Sequence, residues 1–145
     1  ANTLLVHIDS FKDEDTLRKF ILDINGYMID VVLACTYDEY YENENLIDDL
    51  INDSSIKSLQ IMTIKNIGFQ GQNFDDRCIE LLQSIRENHN DLNIRVDGGI
   101  NDNTIDNVLS VVDDIVIGSA VFGSGNAREN LKSFHLLEQI LLLLI

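Results

Sequence analysis

Five short apolar runs recur along the chain, and each is followed by a longer segment with the spacing of an amphipathic helix. The runs have the length and apolar content of buried strands, whereas the longer segments repeat apolar residues every three or four positions. The predicted strands span residues 3–8, 28–34, 58–64, 93–96 and 114–117. Apolar strands separated by helices form parallel sheets, so we expect an α/β fold whose parallel sheet is covered on both faces.

The predicted helices each turn one apolar stripe towards the sheet. The first ends at Asn25-Gly26, a pair typical of a helix C-terminus. The third begins at about Asp75, and the last runs from about Ala127 towards the C-terminus. The stripes, in chain order, are Leu17, Phe20, Ile21 and Ile24; Tyr41, Leu46, Ile47 and Leu50; Cys78, Leu82 and Ile85; Ile105, Val108 and Leu109; and Leu131, Phe134 and Leu137.

Two architectures fit this alternation of strands and helices. One is a doubly wound open sheet of five strands, and the other is an arc of a (β/α)8 barrel, whose full circle needs about 200 residues or more. The chain has 145 residues and no linker or low-complexity tract. We therefore expect a single domain over residues 1–145.

The charge of the chain bears on its partners. It has 25 acidic residues against 10 Lys and Arg, a formal net charge of −15. Nucleic acid and anionic membranes need a basic face, so we expect neither as the main partner. A small anionic ligand is compatible with this charge, because main-chain amides bind phosphate even in acidic proteins.

The two cysteines and the chain ends bear on location. Cys35 and Cys78 have no disulfide or zinc-binding spacing and are expected in the core. The start of the chain lacks the pattern of a signal peptide, and its longest apolar run, residues 140–145, is too short to span a bilayer. We expect a cytoplasmic location.

Three strand ends carry the candidate ligand-binding residues, because both architectures bind ligands where parallel strands end. The third strand leads into residues 66–72, NIGFQGQ, the fourth ends in residues 96–100, VDGGI, and the fifth leads into residues 117–125, IGSAVFGSG. Glycines in such loops bring main-chain amides close to a ligand. Each loop alone is equally compatible with an ordinary turn, and Asp97 with a turn cap.

Taken together, the three loops resemble the C-terminal part of the ribulose-phosphate 3-epimerase family. That family is a TIM barrel that interconverts D-ribulose 5-phosphate and D-xylulose 5-phosphate, and its last three strands carry NPGFGGQ, VDGG and GSAIFG. Residues 61–122 match this pattern well, while LLVHIDS and MIDVVLA look like the fourth and fifth strands of the family. The resemblance implies a (β/α)8 barrel of which this chain is an incomplete arc of about five parallel strands with flanking helices.

The resemblance also implies roles for particular residues. Asp97 matches a metal-ligating aspartate that gives or takes a proton. Met62 matches a methionine that lines the pocket, although a plain core role fits it equally well. The other implied substrate- and phosphate-binding residues are Gly68, Phe69, Gln70 and Gly71 in the loop that closes over the sugar phosphate, Gly98 and Gly99 beside the substrate, and Gly118 and Ser119 in the phosphate cradle.

The chain departs from the family pattern in ways that matter for catalysis. Ile67 replaces a proline, Gln70 replaces a glycine, and residues 34–37 replace NPxTP. No counterpart is found for the family's first three strand–helix units, which supply three of four metal ligands and the second catalytic acid. The resemblance therefore implies a divalent metal (Zn, Fe, Mn or Co) but only Asp97 among its ligands.

Three functional hypotheses follow. The chain is the C-terminal part of a phosphopentose epimerase, weakly active or inactive alone; or it is a non-catalytic or decayed sugar-phosphate-binding paralogue; or it is a structural subunit that pairs through open strand edges. A five-strand arc has two such edges, so we expect a homo-oligomer.

The histidines and an acidic aromatic segment complete the candidates. His7 and Asp9, two residues apart at the end of the first strand, are expected on one face, in structural or supporting roles rather than in direct contact with a metal or sugar. His89 is expected in solvent, and His135 is expected to be a packing or surface residue. Residues 37–44, YDEYYENE, are expected to form an exposed helix start.

Overall fold

Six parallel strands form one sheet, and their order in the sheet is their order in the sequence. The computed structural model describes residues 2–68, 71–123, 125–134 and 141–144. The strands are β1 Thr3–His7, β2 Asp30–Thr36, β3 Ser58–Met62, β4 Asn93–Asp97, β5 Asp114–Ile117 and β6 Leu141–Leu144. A doubly wound sheet reverses its strand order at a switch point, so sequential order selects the arc of a barrel. The sheet is open, since β1 and β6 do not pair with each other.

The helices agree with the sequence in the first part of the chain and differ later. The α-helices are α1 Glu14–Gly26, α2 Tyr37–Glu42, α3 Glu44–Asn52, α4 Arg77–Asn88, α5 Ser119–Phe122 and α6 Ala127–Ser133. The helix predicted after β2 is two helices, which meet at Asn43. A capping box starts α2, since the Thr36 hydroxyl accepts from the Glu39 amide while the Glu39 carboxylate accepts from the Thr36 amide.

The prediction of a helix after β4 was wrong. Only a 3-10 turn, Ile105–Asn107, forms there. The segment is rich in Asn and Asp, whose side chains compete with helical hydrogen bonds. The Asn101 side chain accepts from the Asn103 amide at 2.9 Å, which fixes a turn instead. Ile105 and Val108 are nevertheless buried, as their spacing predicted.

The end of the chain also differs from the prediction of one long helix. Helix α6 ends at Ser133, and Leu141–Leu144 forms β6, which pairs in parallel with β5. A run of consecutive leucines without polar positions suits a buried strand as well as a helix, and the open edge of β5 provides the partner. Leu137 and His135 lie outside the described residues.

The helices pack on a single face of the sheet, so the expectation of cover on both faces was wrong. Alternate residues of the strands, such as Leu33, Ile61 and Val96, join the helix residues in one hydrophobic cluster. In α2 it is Tyr40, not Tyr41, that is buried. Strands added in sequence by right-handed crossovers place every helix on the same side, which is how a barrel differs from a doubly wound sheet.

The opposite, concave face of the sheet is partly polar. One row across it contains His7, Gln60, Arg95 and Asp114, with the small Ala34 between the first two. Arg95 Nη2 lies 3.1 Å from Asp114 Oδ2, and both side chains are largely buried. Asp97 lies on the same face, two residues beyond Arg95 towards the carboxyl end of β4.

The remaining predictions for His89 and the cysteines had different outcomes. His89 is not in solvent: its side chain is 9% exposed and its Nε2 lies 3.0 Å from Asp48 Oδ1, because the end of α4 lies beside α3. Cys35 and Cys78 are buried in the core, as predicted. Burial raises the pKa of the Cys78 thiol to about 12 and that of Cys35 further, so neither is a nucleophile at neutral pH.

Residues 37–44 include all of α2, so the predicted helix is confirmed, but it is not exposed throughout, since Tyr40 is buried. The Tyr37 ring packs against Tyr41 at 4.9 Å and beneath the Arg77 guanidinium at 4.3 Å. Within the described ranges, no helix has both the length and the apolar character needed to cross a bilayer.

Candidate active site

The ends of β3, β4 and β5 meet around a pocket of about 180 Å³. Each strand end contributes to its wall. The lining residues are Ile64, Gly71 and Gln72 after β3, Asp97, Gly98, Gly99 and Ile100 at the end of β4, and Val116, Gly118 and Ser119 at the end of β5. Six of the ten residues predicted from the sequence therefore lie together.

Asp97 is the one carboxylate among the described residues of the pocket wall. It is the last residue of β4 and stands on the concave face, where Gln60 Nε2 donates to its Oδ2 at 3.4 Å. Burial raises the pKa of the Asp97 carboxyl, and the nearby His7 lowers it to a smaller extent. A carboxyl with a raised pKa exchanges protons more readily near neutral pH, which suits a general acid or base.

His7, a candidate from the first strand, is the neighbouring group that lowers the pKa of Asp97. Strand β1 ends at His7, whereas Asp9 lies in a 3-10 turn, Ile8–Ser10, and is exposed. The two residues therefore do not share a strand face, and that expectation was wrong. His7 Nδ1 is buried and has no hydrogen-bond partner within the described part of the chain.

Gln60 was missed, although its position carried a signal. It is the one strongly polar residue within the apolar stretch 59–62, and it shares a strand face with Met62. Its Nε2 lies 3.4 Å from Met62 Sδ as well as from Asp97. Met62 stands beside Asp97 in the sheet and is 7% exposed, but it does not line the pocket.

Gly98 and Gly99 allow the close approach of two loops. Both have left-handed backbones, with φ of 109° and 68°. A Cβ at Gly99 would lie 2.5 Å from the Phe74 amide nitrogen, and one at Gly98 would lie 2.8 Å from Ile64 Cγ2. Any side chain at Gly99 would therefore displace main-chain atoms of the neighbouring loop.

The loop after β3 is closed by Gln72. Its side chain donates to the Asn66 carbonyl oxygen and accepts from the Asn66 amide at 3.2 Å. Gly71 lines the pocket, whereas Gly68 is exposed and does not. Phe69 and Gln70, predicted to close over the ligand, lie outside the described residues.

Gly118 and Ser119 form the part of the pocket wall that follows β5. Gly118 is the N-cap of α5 and Ser119 is its first residue. No Lys or Arg is found among the described residues of the pocket wall. An anion bound there would be held by main-chain amides and the Ser119 hydroxyl rather than by a cationic side chain.

The chain matches the family model described as "Ribulose-phosphate 3 epimerase family" over residues 1–122. The chain belongs to the ribulose-phosphate 3-epimerase family. The recognition made from the three loops is thus confirmed, and so is the barrel-type order of strands that it implied.

Individual relatives carry the same family name. A ribulose-phosphate 3-epimerase of Buchnera aphidicola subsp. Baizongia pistaciae is 33% identical over 144 residues, covering 90% of this chain and 58% of the relative. One of Aquifex aeolicus (strain VF5) is 41% identical over 64 residues, 41% of this chain and 29% of the relative. The cytoplasmic isoform of Oryza sativa subsp. japonica is 33% identical over 84 residues, 57% of this chain and 36% of the relative. The chain thus spans at most 58% of the length of these relatives.

The metal that the epimerase family uses does not fit the described residues alone. No group of three or more His, Cys, Asp or Glu side chains converges anywhere in ranges 2–68, 71–123 and 125–134. A catalytic zinc takes three protein ligands and leaves one position open. Asp97 with its neighbour His7 falls short of such a donor set, so further ligands would have to come from outside the described residues.

Proposed function

We propose that this chain is the phosphate-binding section of an epimerase that interconverts D-ribulose 5-phosphate and D-xylulose 5-phosphate. The observation that supports the proposal most is one pocket with two chemically distinct walls. One wall is the Asp97 carboxylate, and the other consists of the glycine-rich ends of β4 and β5. A sugar phosphate has the matching pair of features, a reacting carbon and a phosphate several atoms away.

Epimerisation next to a carbonyl needs proton transfer on both faces of the carbon. One group removes the C3 proton and leaves an enediolate, and a second group returns a proton from the opposite face. Asp97 supplies one of these groups, and burial has already raised its pKa towards the range in which it can act. The second group is not among the described residues of this pocket wall. The complete reaction therefore requires a more complete catalytic unit.

The phosphate is assigned to Gly98, Gly99, Gly118 and Ser119. All four of these residues line the pocket. Main-chain amides in such loops bind an anion without a cationic side chain, which agrees with a chain of net charge −15.

A non-catalytic sugar-phosphate binder is the second candidate. The observation that favours it is the missing donor set for a metal within the described residues. Such a protein keeps the phosphate-binding loops and uses Asp97 only to contact the sugar.

Two measurements on the full chain separate these candidates. Titration of the 15N-labelled chain with D-ribulose 5-phosphate is expected to shift the amide signals of Gly98, Gly99 and Ser119 and to leave those of α1 unchanged. Exchange of the substrate C3 hydrogen with D2O is then followed by NMR, with added Zn²⁺ or Mn²⁺ and with chelator. For a section of an epimerase we expect weak or no exchange that depends on metal and disappears in Asp97→Asn.

The outcomes are distinct. Binding that metal and chelator leave unchanged, with no exchange, supports the non-catalytic binder. Rapid metal-dependent exchange by this chain alone contradicts its assignment as an incomplete unit. Absence of any binding by D-ribulose 5-phosphate contradicts both candidates.

Location and assembly are part of the same proposal. A cytoplasmic location is supported by the rice relative, which is named as the cytoplasmic isoform. Self-association into a homo-oligomer is supported by β1, an unpaired edge strand with Leu4 and Leu5 more than one-third exposed.

A further inference from the structure

Two threonines outside the pocket hold the carbonyl groups of the Asp97–Gly99 segment. Thr63 follows β3 and is fully buried. Its amide donates to the Asp97 carbonyl oxygen at 2.8 Å, and its hydroxyl donates to the Gly98 carbonyl oxygen at 2.5 Å. Thr63 is itself held in place, since its carbonyl accepts from the Asp75 amide at 2.8 Å.

Thr104, which follows this segment in the chain, holds the next carbonyl group, that of Gly99. Its hydroxyl donates to the Gly99 carbonyl oxygen at 3.0 Å and accepts from the Asn101 amide at 3.0 Å. The Asn101 side-chain amide donates to the same Gly99 oxygen at 3.3 Å. Three successive carbonyls, those of Asp97, Gly98 and Gly99, are thus fixed by Thr63 and Thr104, which we call the threonine clamp.

The clamp determines where the amides of the following residues point. A trans peptide group is planar, with its N–H directed opposite to its C=O, and the chain contains no cis peptide bond among its described residues. The N–H group of Gly98 therefore points across the sheet towards β5, where Asp97 pairs with Val116, while those of Gly99 and Ile100 point away from the two threonine hydroxyls. Gly99 and Ile100 line the pocket, whereas neither threonine does.

We propose that Thr63 and Thr104 are positioning residues that direct two consecutive main-chain amides, those of Gly99 and Ile100, into the pocket as an anion-binding surface. Neither residue touches the ligand. Their effect is conformational, because glycines at positions 98 and 99 have wide backbone freedom that the carbonyl hydrogen bonds remove. The identity of the anion as a phosphate monoester rests on the proposed function, but the clamp does not.

The test uses the full chain with Thr63→Val and Thr104→Val, which remove one hydroxyl each at nearly constant volume. Thr63→Ser and Thr104→Ser restore the hydroxyl without the methyl group. Thr16→Val is the control for loss of a threonine hydroxyl far from the pocket, since the Thr16 hydroxyl bonds only to Asp13 at the start of α1. Folding of each variant is checked by far-UV circular dichroism and by dispersion of the NMR spectrum.

The first readout needs no ligand. Carbonyl carbons move upfield when they lose a hydrogen bond, so we expect the 13C′ signal of Gly98 to move in Thr63→Val and that of Gly99 in Thr104→Val. The Ser variants and Thr16→Val should leave both signals in place. Unchanged signals in well-folded Val variants would overturn the clamp, whatever the chain binds. Because Thr104 is only half-buried, its variant remains informative if Thr63→Val does not fold.

The second readout is the affinity for inorganic phosphate and for D-ribulose 5-phosphate. Misdirecting one charge-assisted amide donor is expected to weaken binding about tenfold in each Val variant, with recovery in the Ser variants. Full affinity in a Val variant whose carbonyl signal has moved would overturn the positioning role. If the wild-type chain binds neither phosphate compound, the proposed function fails, while the carbonyl shifts still decide whether the clamp exists.

Discussion

The two sides of the sheet's carboxyl edge differ in how many of their polar groups are hydrogen-bonded to described residues. Thr63 ties the end of β3 to the end of β4 by a hydrogen bond, and Gln72 and Thr104 close the loops that follow these two strands. At the end of β1, His7 Nδ1 is buried without a partner, and the outer edge of the strand is unpaired, within the described part of the chain. The part of the site to which we assign phosphate binding is thus formed by the described residues, whereas the proposed proton transfer needs groups beyond them.

The largest effect is expected from adding a methyl group where the loops after β3 and β4 meet. Gly99→Ala places a Cβ 2.5 Å from the Phe74 amide nitrogen at a φ of 68°, so we expect a loss of about 3 kcal/mol in unfolding free energy and loss of phosphate binding. Urea denaturation and phosphate titration measure the two effects.

Gly125→Ala is the matched control for this change. Gly125 also has a positive φ, of 72°, but the nearest atom to its Cβ would be 3.8 Å away. We expect a loss of about 1 kcal/mol and unchanged phosphate affinity. Equal losses in the two variants would mean that backbone strain, rather than the contact between loops, determines the cost at Gly99.

A second large effect is expected at the buried ion pair of β4 and β5. Arg95→Met leaves Asp114 uncompensated in a position where its side chain is 8% exposed, which should cost about 3 kcal/mol at neutral pH. Lys57→Met removes half of an exposed pair with Asp30 and should cost less than about 1 kcal/mol.

The double variant Arg95→Met with Asp114→Leu sharpens this result. It removes both charges from the concave face, so most of the lost stability should return. If it remains as unstable as Arg95→Met alone, the pair contributes through packing rather than through charge compensation.

A smaller, pH-dependent effect is expected at Asp97. Its pKa is raised above the ordinary value of 3.8, so the folded state holds a proton that the unfolded state releases. Between 3.8 and the folded-state pKa, stability therefore falls as pH rises, and the penalty is complete above the folded-state pKa. We expect Asp97→Asn to be more stable than wild type at neutral pH and equally stable below the unfolded-state pKa.

Thermal unfolding across pH tests this expectation. Asp106→Asn, at an exposed position in the connection between β4 and β5, is the control for replacing a carboxylate outside the pocket wall, and it should change stability little. A wild-type protein more stable than Asp97→Asn at neutral pH would contradict the expected direction of the effect.

The smallest effect is expected at the open edge. Leu4→Lys places a charge on an edge strand, which opposes strand pairing between copies and changes stability little because Leu4 is 37% exposed. Sedimentation at several concentrations is expected to show association in the wild-type chain and less in the variant. A wild-type chain that stays monomeric at high concentration would contradict the self-association proposed for β1.

What could be predicted from the sequence was the part encoded by local periodicity. The five predicted strands are all present with ends shifted by at most two residues, and α1 ends at Gly26 as the Asn-Gly pair indicated. The failures have a common physical origin. Asp9, His89 and the segment after β4 were each judged from their neighbours in sequence. The position of Asp9 was determined by the end of β1, and that of His89 by the adjacent helix α3. The segment after β4 forms a turn because of Asn side-chain hydrogen bonds.

The residues of the site also divide into those that the local sequence indicates and those that only tertiary contacts reveal. The glycines and Asp97 could be found because a chain must place such residues at strand ends to bring a backbone close to a ligand. Gln60 and Thr63 could not be assigned to the site, because both lie in an apolar run and only strand register brings them to Asp97. Gln60 donates to the Asp97 carboxylate, and the Thr63 amide donates to the Asp97 main-chain carbonyl.

By itself, the sequence determined that this chain alternates strands with helices and that three of its strand ends carry glycine-containing loops, because periodicity and glycine content are local properties. Only the tertiary structure decided that the helices share one face, that His7 stands near Asp97, and that two threonines fix the peptide groups of Gly98 and Gly99. Those relationships join residues up to 90 positions apart, and they exist only once parallel strands are hydrogen-bonded in register.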